Sequence, residues 1–108
     1  MYPLPEHDMD MALTAYMDFV IADFNKDWPA RPRNSANMEI HPGSKFYKIV
    51  WSGNYARSVH SFVVRVSHGK FKAGDILKAA SWAAPAKNFS RGNVLTGDMK
   101  RVRWSGVS

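Results

Sequence analysis

The sequence predicts an α+β fold, one domain in which an N-terminal amphipathic helix packs on a small antiparallel sheet of 3–5 strands. Three observations predict it. Apolar residues recur at spacings of three and four across residues 8–25, the period of a helix with one buried face. Two later runs, 45–51 and 57–66, alternate side-chain character as strands do. The few residues between those runs form a turn, which makes the pair a hairpin. The alternative arrangement is a strongly bent sheet closing into an SH3- or Sm-like barrel, which one helix and several short strands also suit.

In chain order, residues 1–6 are a Pro-punctuated lead-in. In the helix, Met9, Leu13, Tyr16, Met17, Val20 and Phe24 form the apolar stripe, widened by Ala12 and Ile21. Asp10, Thr14, Asp18 and Asn25 take the opposite side. Asp8 or Asp10 suits the N-terminal end of the helix dipole and Lys26 the other. The stripe is read as a core face, with a seam between two copies of the chain as the alternative. Residues 27–35 are a linker in which Pro29 and Pro32 bar helix. Residues 36–108 form a β-rich basic body. In it, 37–41 is a short edge strand before the Pro42-Gly43 turn. In 45–51, Tyr47, Ile49 and Trp51 share one face and Phe46, Lys48 and Val50 the other. In 57–66, strict alternation puts His60, Phe62, Val64 and Val66 on one face. Arg57, Val59, Ser61, Val63 and Arg65 fall on the other. A third strand lies over 75–78 after a turn at Gly74, and a last one over 100–104.

The chain has 108 residues and no cysteine, which excludes disulfides, zinc–thiolate sites and cysteine nucleophiles. No run approaches a membrane span, and the start lacks the pattern of a signal peptide, so a cytoplasmic location is expected. Net charge is +6, unevenly spread. Residues 1–33 carry six acids and three bases, a balance of −3; residues 34–108 carry three acids and twelve bases, a balance of +9. An acidic helix joined to a basic body can act on partners or neutralise itself within the fold.

No catalytic motif is present: no P-loop, no GxGxxG, and no histidine spacing for a metal among His7, His41, His60 and His68. Alternation along the strand directs Ser61 away from His60, so neither Ser61 nor Ser58 is a nucleophile with an oriented base. Asp23 and Asp27 alone make a poor cation site. No catalytic residue, metal ligand or cofactor is therefore assigned. Binding carries more signal. Cations for phosphates and aromatic faces for bases interleave along the body. The candidate nucleic-acid contacts are Lys48, Arg57, Arg65, Lys78, Lys87, Arg91, Lys100, Arg101 and Arg103, the last three forming the densest cluster. Trp28, Trp82 and Trp104 are the candidate stacking or partner-contact residues. Trp82 has a second reading, a core indole among small residues.

The stretch Gly74-Asp75-Ile76-Leu77-Lys78-Ala79-Ala80-Ser81-Trp82-Ala83-Ala84-Pro85-Ala86-Lys87, followed by Arg91-Gly92-Asn93-Val94, resembles a signature of small uncharacterised proteins of tailed bacteriophages. Lys45-Phe46-Tyr47-Lys48-Ile49 and Ser58-Val59-His60-Ser61-Phe62-Val63 resemble the strands that precede it. The resemblance spans about residues 45–94 and leaves out the helix. It implies a phage or phage-like source, with the host cytoplasm as location, and brings no activity or catalytic residue. The expected function is therefore a small phage accessory protein that binds nucleic acid, DNA or RNA, through its basic body. The alternative is a protein-interaction module, a host-takeover inhibitor or virion-associated factor. An enzyme of unrecognised type ranks third.

Overall fold

The computed structural model describes residues 5–27, 37–52 and 57–108. Residues 1–4 of the expected lead-in, most of the expected linker with Trp28, Arg31 and Arg33, and the turn residues Gly53 and Asn54 lie outside it.

Helix α1 (Pro5–Asp27) is longer at both ends than the periodicity predicts. Pro5 suits its first turn, where an N–H would have no intrahelical partner. Met9, Leu13, Tyr16 and Val20 are buried, and Ala12 and Met17 pack at their margin. Asp10, Thr14, Asp18 and Asn25 are exposed, as expected. The stripe is spent within the single chain, on its own sheet.

Four strands form an antiparallel meander: β1 (Met38–Pro42), β2 (Phe46–Ser52), β3 (Arg57–Val64) and β4 (Ile76–Lys78), in the spatial order β1-β2-β3-β4. A second ribbon pairs β5 (Val102–Arg103) with β6 (Gly106–Val107). The sheet stays open, so the fold is the predicted helix-on-sheet α+β arrangement and not the barrel. The outer edge of β4 is covered. Ala86 donates to the Lys78 carbonyl, Arg91 to Ile76, Ile76 to Gly92, and Val94 to Gly74. An uncovered edge would be a template for unwanted strand pairing.

Each face of the sheet carries its own apolar cluster. Tyr47, Ile49, Val63 and Ile76 meet α1, and Val94, Val102 and Val107 close the same core. Phe62, Val64, Phe71 and Leu77 pack on the far face with Phe46, Val59 and Ala79 beside them.

One irregularity overturns the predicted faces of β3. Ile49 pairs with Ser61, but the next residue, Val50, pairs with Val59, so His60 is an extra residue in the strand. Such a β-bulge breaks the two-residue alternation and re-aims side chains. His60 and Ser61 therefore point to the same side, the helix side, where both contact Tyr16. The expectation that Ser61 turns away from His60 is corrected. So is the shared face of Arg57 and Arg65. Arg57 stands near Trp82 on the far face, whereas Arg65 lies over the ring of Tyr47 on the helix face.

Candidate functional site

The far face of the sheet gathers the aromatic and basic residues. The segment after β4 turns back, held by Ala80 and Ser81 donating to the Ala84 carbonyl, and it presents Trp82. The indole is 46% exposed, so the core reading of Trp82 is set aside. Lys48 Nζ lies 4.5 Å from the ring centroid and the Arg57 guanidinium 6.0 Å from it. Both are within cation–π range. β2 and β3 position these two cations from neighbouring strands. Beside them opens a groove of about 410 Å³ whose lining includes His41, Lys45, Phe46, Lys48, Phe62 and Ala83. Lys87 lies 5.8 Å from the Phe46 ring. One carboxylate stands close by. Glu39 accepts hydrogen bonds from His41 (2.8 Å) and Arg57 (2.5 Å), and the bonds from His41, then Ser52, then Arg57 hold its carboxyl below the usual range.

The structure does not assemble all the candidates in one place. Lys78 is exposed at the end of β4. Arg65 donates to the Gly43 carbonyl at 3.0 Å. Arg91 and Arg101 gather with Phe89, whose ring centroid lies 3.9 Å and 5.7 Å from their guanidinium carbons, and Lys100 lines the same pocket.

Arg103 and Trp104 are held by α1. Asp23 accepts from the Trp104 backbone N–H (2.8 Å) and Arg103 Nε (3.1 Å), and Asp27 accepts from the Trp104 indole (2.6 Å). The Trp104 bond, then the Arg103 bond and charge, pull the Asp23 carboxyl below its ordinary value. Trp104 also packs edge-on against Phe24, 5.1 Å between centroids, and its carbonyl accepts from the Trp51 indole at 2.6 Å. The two acids at the helix end thus serve the last hairpin.

His60, Ser61 and Tyr16 form a buried polar chain that strict alternation concealed. His60 Nε2 faces the Arg103 carbonyl at 2.7 Å. A carbonyl only accepts, so Nε2 carries the proton and Nδ1 is the acceptor. Ser61 donates to Nδ1 (2.8 Å), and Tyr16 donates to Ser61 Oγ (2.8 Å). Burial pushes the His60 pKa down, partly offset by the Arg103 carbonyl, and pushes the Tyr16 phenol up. Ser61 is wholly enclosed and His60 nearly so, which gives this chain a structural role, with no access for a substrate. Among the described residues, no three His, Asp or Glu side chains are grouped to hold a metal ion. Among the described residues, no helix is long and apolar enough to cross a membrane.

These features define a small α+β domain with one helix-covered face and one basic, aromatic face. A family model matches residues 6–107, and the chain belongs to that family, a family of unknown function (DUF7717). No curated protein and no solved structure matches the chain.

Proposed function

We propose that this protein binds single-stranded nucleic acid on the sheet face opposite α1. The observation that carries the proposal is Trp82, 46% exposed, with Lys48 and Arg57 over its ring. An indole offers a π-face on which any base stacks, and the adjacent cations take the flanking phosphates. Stacking needs bases free of a duplex, which is why a single strand is the substrate class. The groove beside Trp82 adds Lys45 and the aromatic edges of Phe46 and Phe62. Glu39 tempers Arg57 and leaves Lys48 as the stronger phosphate contact. The resemblance to small tailed-bacteriophage proteins supports an accessory role on phage nucleic acid in the host cytoplasm.

The test is binding of the purified protein to labelled single- and double-stranded DNA and RNA at low and moderate salt. Trp82→Ala is expected to weaken single-strand binding by about 1–3 kcal/mol, the worth of one stacked base. Lys48→Ala should lower the slope of log affinity against log salt by about 0.7. Preference between DNA and RNA arms names the natural strand. No binding to any of the four at low salt, or full affinity in Trp82→Ala, refutes the reading and turns the search to a protein partner.

A further inference from the structure

The structure assigns a second binding site, a phosphate pocket built on the buried Arg91. This inference is independent of the sheet-face reading. Arg91 is only 6% exposed. Its guanidinium lies against the Phe89 ring at 3.9 Å, and Nη1 donates to the Phe89 carbonyl at 3.1 Å. Nε is buried with no hydrogen-bond partner. Among the described residues, no Asp or Glu carboxylate comes within ion-pair distance of Arg91 or Lys100, and Arg101 Nη1 donates to the Ser108 oxygen at 3.5 Å. A guanidinium taken out of water without a counter-charge is strongly disfavoured, and in proteins such a charge is matched by an anion.

The surroundings supply a place for that anion. Arg91 lines an open pocket of about 380 Å³ together with Ser90, Gly92, Lys100 and Arg101. Arg101 lies over the same Phe89 ring at 5.7 Å, so two cations share one aromatic platform. Two carboxylates also line the pocket. Asp75 is occupied, accepting from Lys72 N–H and from the Asn93 amide, both at 2.9 Å. Asp98 has its backbone locked to Asn93 in a closed turn. Three cations against two acids leave the pocket net positive, which favours an anion over a neutral ligand.

The backbone is built to hold this geometry. Arg91 N–H donates to the Ile76 carbonyl, which fixes the loop on β4. Gly92 has a φ of +152°, and a Cβ there would stand 2.2 Å from the Asp98 carbonyl oxygen. Asn93 accepts from the N–H groups of Leu95 and Thr96 and donates to the Ala73 carbonyl and to Asp75. A planar fork on a hydrogen-bonded loop, beside two exposed cations, is the arrangement that recognises a tetrahedral phosphate. Its source is either the terminal phosphate of a nucleic-acid strand or a free phosphate or mononucleotide.

The full-length protein is titrated with inorganic phosphate, with a mononucleotide, and with oligonucleotides carrying a 5′-phosphate or a 5′-hydroxyl. Calorimetry gives affinity, and the side-chain Nε–H resonance of Arg91 reports contact. Saturable movement of that resonance is expected. Arg101→Gln, at an exposed position, should weaken binding about tenfold, the loss expected for one charge-assisted hydrogen bond. Tighter binding of the 5′-phosphate oligonucleotide than of its 5′-hydroxyl twin identifies a strand end; equal affinity for inorganic phosphate and mononucleotide identifies the free anion. Arg91→Lys tests the fork, and its folding is checked by the Trp fluorescence of the variant. Trp82→Ala must keep phosphate affinity, which separates this site from the sheet face. An Arg91 resonance that stays still at millimolar phosphate, or undiminished affinity in Arg101→Gln, overturns the proposal.

Discussion

Replacing Tyr16 by Phe and Ser61 by Ala, singly and together, probes the directed chain beneath the bulge. Tyr16 donates to Ser61, Ser61 to His60 Nδ1, and His60 Nε2 to the Arg103 carbonyl. Tyr16→Phe removes the first donor only. Ser61 keeps its bond to Nδ1, so no buried donor is left unpaired, and the loss is about 1 kcal/mol, one neutral hydrogen bond. Ser61→Ala removes the middle link. The Tyr16 O–H then has only Nδ1 at 3.5 Å, too far for a good bond, and Nδ1 loses its donor. Two buried groups go unsatisfied, for a loss of about 3 kcal/mol. In the double variant the orphaned phenol is absent, so its loss stays near that of Ser61→Ala, about 1 kcal/mol short of additivity. Urea denaturation followed by the fluorescence of the four tryptophans measures all three. A Tyr16→Phe loss larger than that of Ser61→Ala, or single losses that sum without coupling, refutes the direction assigned to the chain.

Three further outcomes are expected. Because burial lowers the His60 pKa, the unfolded chain takes up a proton that the folded chain resists. Stability is then full above the ordinary histidine value of 6.5 and declines as pH falls below it, at no more than about 1.4 kcal/mol per pH unit, and His60→Gln removes this component in denaturation curves across pH 4–8. Gly92→Ala should destabilise by about 3 kcal/mol or more, because the new Cβ meets the Asp98 backbone and φ is positive, whereas Gly97→Ala, with φ +77° but open space, should lose about 1–2 kcal/mol in the same assay. Asp23→Ala frees the Trp104 amide from its acceptor; hydrogen exchange at Trp104 should quicken about tenfold or more while amides of β2 and β3 hold.

The helix and the first hairpin were legible because each has one buried side. A 3.6-residue stripe and a two-residue alternation survive in any sequence that buries a single face. The bulge was hidden for the converse reason. His60 is one extra residue with no Gly or Pro to mark it, and a one-residue slip sends every later side chain to the opposite face. That slip parted Arg57 from Arg65 and joined His60 to Ser61. The ends of the chain were opaque in another way. Asp23 and Trp104 are 81 residues apart, and local pattern carries no trace of a contact so distant. Trp104 and Trp82 have similar sequence surroundings, basic and small residues, yet one is clamped under the helix end and the other stands in solvent.

Charge follows the same division. The acids of α1 meet the basic body where the last hairpin docks, so Arg103 is matched by Asp23 and Asp27. Arg57 is matched by Glu39. Among the described residues, the remaining body lysines and arginines, Lys48 and Arg91 included, have no Asp or Glu carboxylate within ion-pair distance. The imbalance of +9 in residues 34–108 is therefore cancelled only in part by folding, where Arg103 meets the helix acids; Lys48 beside Trp82 and Lys100 in the pocket of Arg91 are among the cations left over. Salt separates the two sites. On the proposed reading, the half-buried Lys48 and the exposed Arg57 would act through screened charge, and affinity for a strand should fall steeply as ionic strength rises. The buried Arg91, if it holds a phosphate as proposed, would act through short directed bonds that ions screen less. If both sites act on one strand, affinity will fall with salt to a floor set by the terminal phosphate, and Arg101→Gln will lower the floor without changing the slope as much as Lys48→Ala does.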